Sequence, residues 1–155
     1  DIAAHLVKEK ELYGFGYIWL ISSDRDWDLL IQDDVSRFSY VTRKEVTLDN
    51  WSSHYQVSPE EYISFKCLTG DTGDNIKGIP GIGPKRATDL IKAYGSALDV
   101  YDAVPIDSTY SHIKNLNEYS ERILKNYELM DLVTYCDDAI GTENISVIRE
   151  KLDAA

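Results

Sequence analysis

The period of the hydrophobic positions changes part-way along the chain, and that change divides it. At the N-terminus Ile2, Ala3, Leu6 and Val7 recur at helical spacing, with no room before them for a cap or a strand. Tyr17-Ile18-Trp19-Leu20-Ile21 is then an unbroken apolar run after Gly14 and Gly16. It predicts a strand buried on both faces of a parallel sheet, with Trp19 in the core. Val35 to Val41 alternates apolar and polar residues, and Glu45 to Leu48 reads as its short partner strand.

From Ser58 the period becomes helical. Ser58-Pro59-Glu60-Glu61 is a capping box with proline at the first helical position, and the helix it opens is expected to run to about Leu68. Pro84 opens another, with Ala87, Leu90, Ile91 and Tyr94 on its apolar face and Gly95 as its stop. Ser96 caps a third, carrying Ala97, Val100, Tyr101 and Val104 before Pro105, and Leu116, Tyr119, Ile123, Tyr127 and Met130 predict one longer helix. The expected fold class is α/β: a Rossmann-like parallel-sheet portion over residues 1–56, then a helical region over residues 57–155.

Composition narrows the function classes. A chain of 155 residues, 43% of them hydrophobic, can bury one ordinary core. No apolar run approaches the roughly 18 residues that cross a bilayer. No basic-then-apolar leader opens the sequence as given, so a cytoplasmic protein without a membrane partner is expected. Cys67 and Cys136 lack any C-x-x-C spacing and read as reduced packing residues, and the isolated His5, His54 and His112 read as packing or surface residues. Sixteen basic against 27 acidic residues give a net charge of −11, which excludes coating of nucleic acid by charge alone.

Any such contact must therefore be local, and the charges are unevenly placed. Residues 77–92 carry Lys77, Lys85, Arg86 and Lys92 against Asp89. The stretch 24–34 carries Asp24, Asp26, Asp28, Asp33 and Asp34 against Arg25, which predicts that a cation is drawn there. Asp24 and Asp26 fall just past the carboxyl end of the predicted strand, the rim where open α/β sheets bind ligands. Asp71 and Asp74, spaced i and i+3, share a face if that segment is helical. Either pair alone is the pattern of a solvated loop or cap; four carboxylates together suit hard divalent cations such as magnesium and manganese. Trp27 could pack beneath this rim or stack on a base, and its place beside the strand end favours packing.

Gly78, Gly81 and Gly83 allow a tight turn whose amides can approach a phosphate, and the helix after it points its positive end the same way. Lys85 and Arg86 add charge. This is a helix-hairpin-helix type signature, which grips backbone rather than reading bases; the alternative is a plain structural turn with incidental lysines.

Three segments, Leu20-Ile21-Ser22-Ser23-Asp24-Arg25-Asp26-Trp27-Asp28, Gly70-Asp71-Thr72-Gly73-Asp74-Asn75-Ile76-Lys77-Gly78 and Gly81-Ile82-Gly83-Pro84-Lys85-Arg86-Ala87, occur in this order. With them the sequence resembles the 5′-nuclease, or flap endonuclease, superfamily, most of all the 5′-3′ exonucleases of T-odd bacteriophages. The resemblance implies a PIN-like nuclease portion followed by a helix-three-turn-helix. It implies Asp24, Asp26, Asp71 and Asp74 as catalytic metal ligands, for two Mg2+ or Mn2+ ions in the complete enzyme. It implies Lys77, Gly78, Gly81, Gly83, Lys85 and Arg86 as DNA-binding positions, with K+ on the carbonyls of the turn. The implied reaction is hydrolysis of DNA, with RNA left open, near a 5′ flap or single-strand/duplex junction, leaving a 5′-phosphate. The implied setting is replication and repair, in the host cytoplasm if the protein is phage-encoded.

Members of that superfamily carry a larger N-terminal section, with further acidic ligands, a basic residue near the scissile phosphate and a helical arch. None of these is in this sequence, and Asp1 resembles the last acid of the family's Glu-Ala-Asp-Asp motif. A C-terminal portion is expected, inactive alone, either a fragment or the partner of a separate N-terminal nuclease half. A non-catalytic DNA-binding module is the alternative, and retention of all four aspartates favours the nuclease.

Overall fold

Helix α1 (Ile2–Lys8) and strands β1 (Ile18–Ile21), β2 (Val35–Ser39) and β3 (Lys44–Val46) begin the first unit of the computed structural model, which describes residues 1–154. The strand order is β1-β2-β3; β1 runs parallel to β2 with Ile18 opposite Val35, and β3 returns antiparallel. The sheet is therefore mixed rather than wholly parallel. Leu20 turns inward to join Val35, Leu30, Ala4 and Val7 in the core of this unit. Because side chains alternate along a strand, Trp19 and Ile21 turn the other way and are 56% and 45% exposed. Within this chain β1 stands at the sheet edge with one face uncovered, so the expected burial on both faces, with Trp19 in the core, is not met by the described residues. The strand buried on both faces is the central β2, where the polar residues are answered internally; Ser36 donates to the Glu45 carboxylate at 2.8 Å.

The second unit, Tyr55–Met130, opens with the capping box, whose Ser58 amide donates to Glu61 at 2.9 Å while the Glu61 amide donates to the serine hydroxyl at 3.3 Å. Helix α2 (Tyr62–Thr69) follows, then the two-residue strands β4 (Gly70–Asp71) and β5 (Ile76–Lys77), paired antiparallel. Next come α3 (Pro84–Tyr94), which stops at Gly95, and α4 (Ala97–Asp102), capped by Ser96 accepting from the Asp99 amide. Helices α5 (Ser111–Tyr119) and α6 (Glu121–Met130) replace the single long helix expected over this stretch. At Ser120 the winding tightens, the Ile123 amide bonding the carbonyl three residues back at 2.8 Å. Cys67, Leu68, Ala87, Ile91, Val100, Leu116 and Ile123 form the core of the unit; Tyr94, expected on the apolar face of α3, is 39% exposed.

Residues from Asp131 on return to the first unit, although the sequence placed them in the helical region. They form α7 (Cys136–Ile140) and α8 (Thr142–Asp153). Cys136 fills the core of the first unit, and Asp137 binds both basic side chains of α1, His5 at 2.7 Å and Lys8 at 2.5 Å. His5 also meets the Tyr13 hydroxyl at 2.8 Å, so it is a packing residue as expected. Both cysteines are free and buried. No helix among the described residues is long and apolar enough to cross a membrane.

Candidate metal and nucleic-acid site

Asp24 and Asp26 lie in the loop that leaves the carboxyl end of β1. Asp24 caps a short 3-10 helix (Arg25–Leu30) by accepting the Asp26 amide at 2.9 Å, and its own amide is held by the Ser22 hydroxyl at 3.1 Å. Asp24 is exposed and Asp26 half-buried. Asp28 is buried and takes a two-pronged bond from Arg37 of β2, through Nε and, at 2.9 Å, through Nη2. The remaining guanidinium nitrogen Nη1 donates to the Ser22 carbonyl at 2.9 Å, fastening the acidic loop to the central strand. Lys10 pairs with Asp34, and that hydrogen bond holds the Asp34 carboxyl below its usual range. Of the five acids expected to draw a cation, Asp28 and Asp34 are thus already matched by internal cations. Trp27 packs against the core of the unit, as its position suggested.

In the second unit Asp71 and Asp74 share a turn rather than a helix face, because residues 70–77 form the small β4–β5 hairpin. Asn75, at φ 56°, takes a left-handed position that asparagine tolerates. The hairpin still gathers the two acids, with carboxylate oxygens within 4.8 Å of each other. Asp71 is set by two donors, the Gly73 amide at 2.8 Å and the Lys66 ammonium at 2.8 Å. Lys66 is itself buried on α2. Its hydrogen bond keeps the Asp71 carboxyl below the usual carboxylate range, although burial pulls the other way. Asp71 is accordingly ionised at neutral pH. Two oxygens at this separation fit one hard cation, whose oxygen ligands stand about 2.0–2.6 Å away.

The hairpin leads directly into the glycine turn. A side chain on Gly78 would overlap the Leu68 and Thr69 carbonyls, and Gly81 has φ +81°, so glycine is required at both. Gly83 has open space around it and φ −92°, so the expected need for glycine does not extend there; it is the N-cap of α3. Ile79 and Ile82 anchor the turn in the core, which leaves Lys77, Lys85, Arg86 and Lys92 exposed. Arg86 also reaches back to the Gly81 carbonyl at 2.7 Å. Sequence reasoning missed Lys66 and Arg37. Lys66 left one signal, a lone cation in the apolar run Ile63 to Leu68, while Arg37 looked like the polar half of an alternating strand.

Residues 57–153 match the family model described as 5′-3′ exonuclease, C-terminal SAM fold. The chain is also 44% identical over 151 residues, 96% of its length, to the flap endonuclease of Escherichia phage T5. The chain belongs to the 5′-3′ exonuclease family. Its fold agrees with solved members. One is the T5 5′-exonuclease with divalent metal ions (zinc) bound, with a TM-score of 0.86 at 41% identity, covering 97% of this chain and 56% of that one. Another is a T5 flap endonuclease pseudo-enzyme–product complex with DNA and metal ions, with a TM-score of 0.87 at 40% identity, covering 97% and 57%. This family member spans about half the length of the curated relatives it matches, 51% of the T5 flap endonuclease.

Proposed function

We propose that this chain is the C-terminal portion of a structure-specific, divalent-metal-dependent 5′-3′ exonuclease or flap endonuclease that hydrolyses DNA at a 5′ flap or single-strand/duplex junction. The observation that carries the reading is the sequence of parts in the second unit. Two carboxylates are gathered on a hairpin, one preset by a buried lysine, and the hairpin runs at once into a glycine turn with an exposed basic face. A relative solved with both DNA and metal ions supports it.

In this reading Asp24 and Asp26 of the first unit and Asp71 and Asp74 of the second are the catalytic ligands of two Mg2+ or Mn2+ ions. When bound, such ions supply an activated water and positive charge at the leaving oxygen. Lys66 orients Asp71 and Arg37 steadies the loop of Asp24 and Asp26. The glycine turn acts as a helix-three-turn-helix: Lys77, Lys85 and Arg86 neutralise phosphates, Gly81 and Gly83 admit the backbone of the duplex, and Gly78 seats the turn on the end of α2. The Gly78 and Gly81 carbonyls already accept from the Arg122 and Arg86 guanidinium groups, an arrangement that does not fit the K+ expected on them. The first unit is the C-terminal part of a PIN-like nuclease domain that works in the cytoplasm. An N-terminal half, on the same or a separate polypeptide, completes the catalytic shell, and without it the chain hydrolyses DNA weakly or not at all.

Calorimetric titration with Mn2+ tests the ligand assignment without needing catalysis. The chain should take up the ion, Asp71→Asn with Asp74→Asn should abolish that uptake, and Asp33→Asn should leave it unchanged. Full uptake by the double variant would remove the assignment.

A further inference from the structure

The carbonyl side of the glycine turn is held by side chains from two other helices. Asn115 of α5 donates to the Pro80 carbonyl at 2.9 Å. Arg122 of α6 donates to the Gly78 carbonyl at 2.8 Å, its guanidinium resting 4.8 Å from the centre of the Tyr119 ring. Asn126, 3% exposed, gives its amide hydrogens to Cys67 and Lys77, at 2.9 and 3.0 Å. Arg122 and Asn126, four residues apart, share one side of α6, and Asn115 comes from α5.

In a trans peptide the carbonyl and the N–H point in opposite directions. Holding the Pro80 oxygen therefore aims the Gly81 N–H away from Asn115. The amides beyond the other two held carbonyls turn inward: that of Ile79 donates to the Leu68 carbonyl at 2.9 Å, and that of Gly78 lies against Gly70. Backbone amides fixed in direction bind an oxyanion without reorganisation, whereas a freely turning glycine peptide must first be ordered, at an entropic cost that falls on binding.

We propose that Asn115 is a positioning residue for duplex DNA, which holds the turn from its carbonyl side so that the Gly81 amide faces a phosphate, and that Arg122 and Asn126 fix the frame of the turn on which Asn115 acts. This rests on the reading of the turn as a DNA grip. Asn115 and Asn126 are neutral and act through the backbone, so their loss weakens binding without removing a phosphate contact. One such hydrogen bond corresponds to about a two- to tenfold change in affinity.

The test is fluorescence anisotropy of the 155-residue chain on a labelled duplex with a 5′ overhang, over a range of salt and at a temperature where circular dichroism shows each variant folded. Asn115→Leu and Asn126→Leu should bind about two- to tenfold more weakly with an unchanged salt slope, and Asn115→Gln, which keeps the donor, should recover most of the loss. A purely structural role would lower the melting temperature yet leave the affinity of the folded protein alone, and that result overturns the proposal. If Asn126→Leu does not fold, Asn115→Leu decides. For Arg122→Gln, a salt slope lower by about 1 marks a direct phosphate contact and overturns its assignment. Lys85→Ala with Arg86→Ala serves as the control: it should lower the slope, and if it changes neither affinity nor slope, the DNA reading of the turn fails as well.

Discussion

Replacing Asp28 by asparagine probes the bond that fastens the acidic loop to the sheet. Asp28 and Arg37 are 2% and 5% exposed and share a two-pronged hydrogen bond. Asparagine keeps the size of the side chain but turns an amide against guanidinium donors and leaves a buried cation without its counter-charge. Removing one partner of such a pair costs about 3–5 kcal/mol, a large fraction of the roughly 5–15 kcal/mol that holds a typical domain together. With a urea dependence of about 2 kcal/mol per M, the unfolding midpoint should fall by about 1.5–2.5 M. Replacing both partners, Asp28→Leu with Arg37→Met, removes both charges and should recover most of the loss, since no uncompensated charge stays buried. Urea titration followed by tryptophan fluorescence measures all three proteins, with Trp27 in the affected loop as a local probe. A loss below about 1 kcal/mol in the single variant, or a double variant as unstable as the single, would refute the reasoning.

Two further outcomes follow from local geometry. Hydrogen bonds from Lys8 and His5 hold the Asp137 carboxyl at about 2, below its ordinary 3.8. The folded state thus favours the ionised form, and this contribution is complete above about pH 4 and lost as pH falls toward 2. Asp137→Asn should lose less stability than the parent across that window in acid titrations, and parallel curves would contradict the assignment. Gly78→Ala forces a Cβ into the Leu68 and Thr69 carbonyls and should cost about 2–3 kcal/mol or more, whereas Gly83→Ala, in open space at φ −92°, should cost only the difference between glycine and alanine at an N-cap, about 1 kcal/mol or less. Thermal melts of the two variants check this, and equal shifts would be inconsistent with it.

The local signals in the sequence were strong where one element decides its own form. Pro84 with Gly95 around α3 and the Ser96 cap stand where their chemistry placed them, whereas the Ser58–Glu61 box forms its two hydrogen bonds in a turn and the helix it was expected to open at Ser58 starts only at Tyr62. The failures occur where partners distant in sequence decide. An apolar run does not reveal what covers each face of its strand, and the described residues leave Trp19 56% exposed. Residues from Asp131 on carry no sign that Cys136 and Asp137 are matched to α1 rather than to the helices just before them. The acids were visible as a composition, but not that Arg37 and Lys10 neutralise two of them. The i and i+3 spacing of Asp71 and Asp74 suggested one face for the wrong reason: a hairpin, set by the close approach of Gly70 and Gly78, brings them together instead.

The most direct test of the central claim is hydrolysis of a 5′-flap DNA by this chain completed with an N-terminal nuclease half, followed with and without Mn2+. Cleavage should require the ion and fall by at least about a hundredfold in Asp71→Asn with Asp74→Asn, a loss on the scale of removing a main electrostatic stabiliser from an active site. Undiminished, metal-dependent cleavage by that double variant, in protein that remains folded, would contradict it.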